Sequence, residues 1–139
     1  MTEQQIDILD QLMVKGYVQK TIGLLDNNIF VTLRTLPTEQ QLAVEASMKT
    51  VEGTQLYALH TYFVRLLARG LVDITYKGTK TTFATPEEAE VFIQSKPALL
   101  IGALITEQGK LEKEVSVLIS GPEVVENFPK TPSVDLEQK

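Results

Sequence analysis

Apolar residues at Ile6, Leu9, Leu12 and Met13 recur at helical spacing and stop at Gly16, which predicts a short first helix. From Tyr17 the period shortens to two. Val18, Ile22 and Leu24 alternate with Gln19, Thr21 and Gly23, Asp26-Asn27-Asn28 supplies turn chemistry, and Ile29, Val31 and Leu33 alternate with Phe30, Thr32 and Arg34. This pattern predicts a β-hairpin with one buried face. Leu36-Pro37-Thr38 opens a helix carrying Leu42, Val44, Ala46 and Met48, and Gly53 ends it. Thr54 is placed to cap the next helix, whose stripe of Leu56, Leu59, Phe63, Leu66 and Leu67 reads as the clearest core element, ending at Gly70. Val72, Ile74 and Tyr76, a Lys77-Gly78 turn and a return over Thr81–Ala84 predict a second hairpin.

Thr85-Pro86-Glu87-Glu88 has the form of a capping box with proline at the first helical position, and Ala89, Phe92 and Ile93 point that helix inward. Pro97 interrupts it and begins the longest helix, to about Ser120. Leu100, Leu104, Leu111, Val115 and Leu118 keep one face apolar, while Glu107, Lys110, Glu112, Lys113 and Glu114 mark the solvated side. Gly121-Pro122 reads as a firm stop. The fold class is therefore α+β: a small antiparallel sheet of two β-hairpins packed with several helices. The expected organisation is one domain over residues 1–121 and an extended C-terminal tail over 122–139.

Composition narrows the function classes. In a chain of 139 residues, 43% hydrophobic and 22% charged residues suffice for one domain with a real core. A net charge of -5, with no basic run, argues against nucleic acid and against an anionic membrane surface. The absence of cysteine removes disulfides, thiolate metal sites and thiol nucleophiles. Met1–Gln5 lacks the basic start of a signal peptide, and the most apolar run, 98–105, is too short to span a bilayer. The expected site of synthesis is the cytosol.

No catalytic constellation emerges. His60 is the only histidine, and its neighbours Leu56, Phe63, Val64 and Leu67 favour a packing role over acid–base work. Glu87, Glu88 and Glu90 read as a helix N-terminus and a solvated face. The glycines stand alone, without a phosphate-binding pattern, and no serine sits in a nucleophile elbow. Tyr57, Tyr62, Phe63 and Arg65 read as core with a snorkelling arginine. No cofactor, no metal and no enzymatic activity are expected.

The run Leu25-Asp26-Asn27-Asn28-Ile29-Phe30-Val31-Thr32-Leu33-Arg34-Thr35-Leu36-Pro37-Thr38-Glu39, followed by the Leu56–Tyr62 helix and the helical pair from Phe92 to Val115, resembles small tail-assembly and baseplate-hub assembly proteins of tailed bacteriophages. The resemblance spans about Ile22 to Leu71. It implies a non-enzymatic morphogenesis protein in the host cytoplasm, an assembly chaperone whose partners are other tail or baseplate proteins. A structural subunit retained in the virion, and a small enzyme or regulator centred on His60, are the alternatives. The residues themselves offer Phe30 and Arg34, on the strand face opposite the core, as partner contacts. In the tail, Val124, Val125, Phe128, Val134 and Leu136 are spaced as anchors for an extended ligand.

Overall fold

A computed structural model describes residues 2–126, of which 121–126 as backbone only. In chain order the elements are α1 (Glu3–Lys15), β1 (Gln19–Leu24), β2 (Ile29–Arg34), α2 (Thr38–Ser47), α3 (Gln55–Gly70), β3 (Leu71–Tyr76), β4 (Thr79–Thr82), α4 (Pro86–Gln94) and α5 (Ala98–Glu126). The strands form one antiparallel sheet in the order β1-β2-β3-β4. The fold is α+β. The first hairpin forms where the alternation places it, whereas the return strand of the second is Thr79–Thr82, starting directly after the Lys77-Gly78 turn, and not Thr81–Ala84.

Local chemistry sets these boundaries. The Thr2 hydroxyl accepts the Gln5 amide at 3.1 Å and the Gln5 side chain returns to the Thr2 amide at 2.9 Å, a closed capping box at α1. Gly16 ends α1 at φ 85°, a left-handed position suited to glycine. The Thr85 hydroxyl accepts the Glu88 amide at 3.2 Å and the Glu88 carboxylate accepts the Ala84 amide at 3.2 Å, which fixes the entry of the chain into α4. In the first hairpin the left-handed run comprises Leu25, Asp26 and Asn27, at φ 53°, 56° and 66°. The Asn28 side-chain amide holds the Leu25 carbonyl at 2.7 Å.

Register decides the two faces of the sheet. Ile22 and Leu24 pair with Val31 and Ile29, and Val31 and Ile29 pair with Ile74 and Tyr76, so these side chains share one face. Ile29, Val31, Leu33 and Ile74 join one core with Val64 and Leu67 of α3, Ala89 and Ile93 of α4, and Ile101, Leu104, Leu111 and Val115 of α5. The opposite face carries Thr21, Gly23, Phe30, Thr32 and Thr75, none of which joins that core. Thr32 is nevertheless buried, and its hydroxyl shares a 2.8 Å hydrogen bond with Thr21.

The predicted stop at Gly121-Pro122 is overturned. The backbone of α5 stays helical to Glu126, so 122–126 continue the helix instead of starting an extended tail. A proline inside a helix deprives the carbonyl four residues earlier of its donor. That carbonyl belongs to Leu118, and the Gln5 side-chain amide of α1 supplies a replacement at 3.3 Å. A tertiary hydrogen bond thus compensates for the break that the local sequence calls for.

One buried side-chain polar atom is left unmatched among the described residues. Thr61, on the inner face of α3, is 3% exposed and its hydroxyl has no partner. Replacing it with valine keeps the shape and removes the desolvated hydroxyl, which is expected to raise stability by about 1 kcal/mol in urea unfolding. A loss of similar size would assign the hydroxyl a structural bond.

Candidate partner-binding surface

Helix α3 has two apolar sides, and the chain covers one. Thr54 caps it, accepting the Tyr57 amide at 3.1 Å. Thr61, Val64, Leu67 and Ala68 form the buried side. The predicted stripe lies about a third of a turn round the helix from it, sharing only Leu67. Leu67 is fully buried and Leu66 half-buried, but Leu56 is 79%, Leu59 50% and Phe63 39% exposed. Spacing alone identifies both sides as apolar without saying which one the remaining helices will reach. Core assignment of Leu56, Leu59 and Phe63 is therefore corrected, and these residues become a ridge with Tyr57 beside it. His60 shares this exposed stretch, so its predicted packing role is overturned as well.

The ridge runs into a groove between α3 and α5. Tyr62, Phe63, Leu66, Ile105 and Leu36 line it, Gly109 lies against it, and its volume is about 270 Å³. Tyr62 and Phe63 stand edge-to-face with ring centroids 5.6 Å apart. Both Gly102 and Gly109 lie in the body of α5, and a Cβ added to either would meet nothing within 4 Å. Interior helical glycine costs about 1 kcal/mol relative to alanine. Packing within the described chain gives no return for that cost, whereas a partner element drawn close to the α5 backbone would. Gly102→Ala and Gly109→Ala are each expected to raise thermal stability by up to about 1 kcal/mol while weakening partner association. Stabilisation with undiminished association would remove the glycines from the surface.

Glu112 closes the far end of the groove. The solvated position predicted for it is corrected: it is half-buried and accepts the Leu36 amide at 2.8 Å, tying α5 to the loop after β2. Burial pushes its carboxyl above the usual carboxylate range, and the hydrogen bond from Leu36 opposes that shift without cancelling it. A raised folded-state value means that protonation favours the fold. The stabilising contribution is complete below the unfolded value and is lost as pH rises through the folded one. Glu112→Gln keeps an acceptor for Leu36 and cannot ionise. Stability measured from acid to neutral pH should therefore show the variant gaining on the native protein as pH rises through and above the carboxylate range.

The other predicted contacts separate. Phe30 is 42% exposed on the open sheet face, as the alternation required. Arg34 makes no ion pair among the described residues. Its Nε donates to the Arg69 carbonyl at 3.3 Å and its guanidinium lies 4.9 Å from the centre of the Tyr17 ring, so it ties β2 to the end of α3. Arg65 pairs with Glu90 at 3.5 Å and donates to the Ser47 carbonyl at 3.0 Å, which gives Glu90 a structural partner in place of a purely solvated position. Val124 and Val125 lie on helical backbone, and their side chains are outside the described residues, as are Phe128, Val134 and Leu136. The helical spacing of Leu56, Leu59 and Phe63 is the sequence signal for this ridge, and a buried stripe has the same spacing.

Among the described residues no group of three or more His, Asp or Glu side chains is placed to hold a metal ion, and no helix is long and apolar enough to cross a membrane. No protein-family model matches the chain, and neither a curated protein nor a solved structure shows significant similarity to it.

Proposed function

We propose that this protein works by binding other proteins, without enzymatic chemistry, and that it presents the α3 ridge and the α3–α5 groove to an apolar element of its partner. The observation that carries this reading is the exposure of Leu56, Tyr57, Leu59 and Phe63 along one helix, leading into a groove bordered by an uncovered glycine of α5. A contiguous apolar surface on a folded domain marks a place where another surface is meant to sit. A helix laid into the groove would meet the anchors Leu56, Leu59 and Phe63 at helical spacing. An assembly chaperone for phage tail or baseplate subunits is the specific role proposed, on the resemblance of the β2–α2 segment; a subunit that stays in the assembled particle would use the same surface.

A photo-crosslinking residue at position 59 tests this reading in cells that make the assembly. The expected result is one discrete adduct with an assembly subunit, absent when the same group is placed at Val91, which is exposed on α4. Equal labelling from both positions, or none from position 59, overturns it.

A further inference from the structure

The two hairpin tips and the α4–α5 corner border a second surface. Leu25, Ile29, Ile74, Tyr76, Phe92 and Leu100 line a depression of about 430 Å³. A neighbouring depression of about 660 Å³ extends over Phe30, Thr75 and Gly78 and shares Leu25, Ile29 and Tyr76 with the first. The first opens on the core face of the sheet and the second reaches round the hairpin tips to the face of Phe30 and Thr75, so the two meet along the Leu25–Tyr76 edge. Leu25 is 68% exposed, held outward by a left-handed backbone that leucine rarely adopts.

Charge gives this surface its sign. Lys96 lines the first depression, with its Nζ 4.4 Å from the centre of the Phe92 ring, and Lys77 lines the second, with its Nζ 5.4 Å from the Tyr76 ring. Neither lysine makes an ion pair among the described residues, and no acidic side chain lines either depression. Leu100, in the first turn of α5, brings the positive end of a long helix to the same place, and that turn carries no acidic residue. In a chain of net charge -5 this is a local reversal. Surface lysines resting on aromatic rings, with apolar walls between them, complement a ligand that alternates carboxylates with apolar side chains. Two joined depressions with a cation in each favour an extended segment over a compact small molecule.

We propose that this surface docks an extended acidic peptide segment bearing apolar side chains, presented by a partner protein and bound independently of the α3 ridge. The test titrates the full-length protein with a synthetic hexapeptide of alternating leucine and aspartate, followed by chemical-shift mapping and fluorescence anisotropy. The expected result is saturable binding, with shifts centred on Leu25, Tyr76, Phe92 and Lys96, that weakens at least tenfold in a Lys96→Glu, Lys77→Asn double variant. Asparagine keeps the left-handed backbone at position 77, where φ is 52°. A Leu56→Glu, Leu59→Glu variant should bind the peptide unchanged, which separates this site from the α3 surface. Equal binding of the leucine–lysine counterpart, stronger binding of laurate at the same residues, or an affinity unaffected by the lysine changes would each overturn the proposal.

Discussion

Gly70→Ala is expected to lower stability by roughly 1–3 kcal/mol, the cost of forcing a methyl group into a filled site. For a domain of this size that is a fall in Tm of about 3–10 °C. Gly70 is the last residue of α3, and β3 begins at the next residue with no loop to absorb a shift. A Cβ at this position would overlap the side-chain amide of Gln108 and lie 2.9 Å from the Arg34 carbonyl. The Gln108 amide can turn aside only by giving up its 3.4 Å bond to the Leu66 carbonyl, and the Arg34 carbonyl is backbone. Three elements meet here, because Arg34 also reaches the Arg69 carbonyl from β2. Gly102→Ala is the matched control, since the same substitution in open helical space has the opposite expected sign. Differential scanning calorimetry of the two variants checks the pair; a Gly70→Ala protein as stable as the native one would show that the junction yields.

Leu56→Glu combined with Leu59→Glu is expected to abolish partner association while leaving the fold intact. Both side chains are at least half exposed, and glutamate is as good a helix former as leucine, so each change should move stability by no more than about 0.5 kcal/mol. If each leucine is buried in the complex, it contributes roughly 1.5–3 kcal/mol, and losing two weakens Kd by about 100-fold or more. Titration calorimetry on the isolated partner, alongside thermal unfolding of the free protein, separates the two effects. A fall in melting temperature to match the lost affinity would return these leucines to the internal framework.

Much of the fold is written locally. Capping residues at Thr2, Thr54 and Thr85 mark three helix starts, and the alternation around Ile29–Leu33 and Val72–Tyr76 marks two strands that pair in regular register from Ile29 to Thr32 and shift at Leu33. What failed was what depends on distant partners. The helix passes Pro122 because Gln5, far away in the chain, takes over the Leu118 carbonyl. Arg34 is held between the Arg69 carbonyl and the Tyr17 ring, contacts that no local pattern announces. Glu112 leaves the solvent because the Leu36 amide needs an acceptor. The candidate surface is legible as an apolar stripe, but a helix with two apolar sides does not declare which its own chain will cover. The surface at the hairpin tips had no linear signal: Leu25, Tyr76 and Lys96 are brought together only by strand pairing and the α4–α5 corner.

Hydrogen–deuterium exchange of the protein, free and in complex with the partner captured from position 59, tests the central claim most directly. If the α3 ridge and the α3–α5 groove are the binding surface, protection should appear in the first half of α3 and around Gly102–Gly109 of α5, with the sheet core unchanged. Protection that spares α3 and falls elsewhere, or a complex that leaves Leu56, Leu59 and Phe63 as accessible as before, would contradict it.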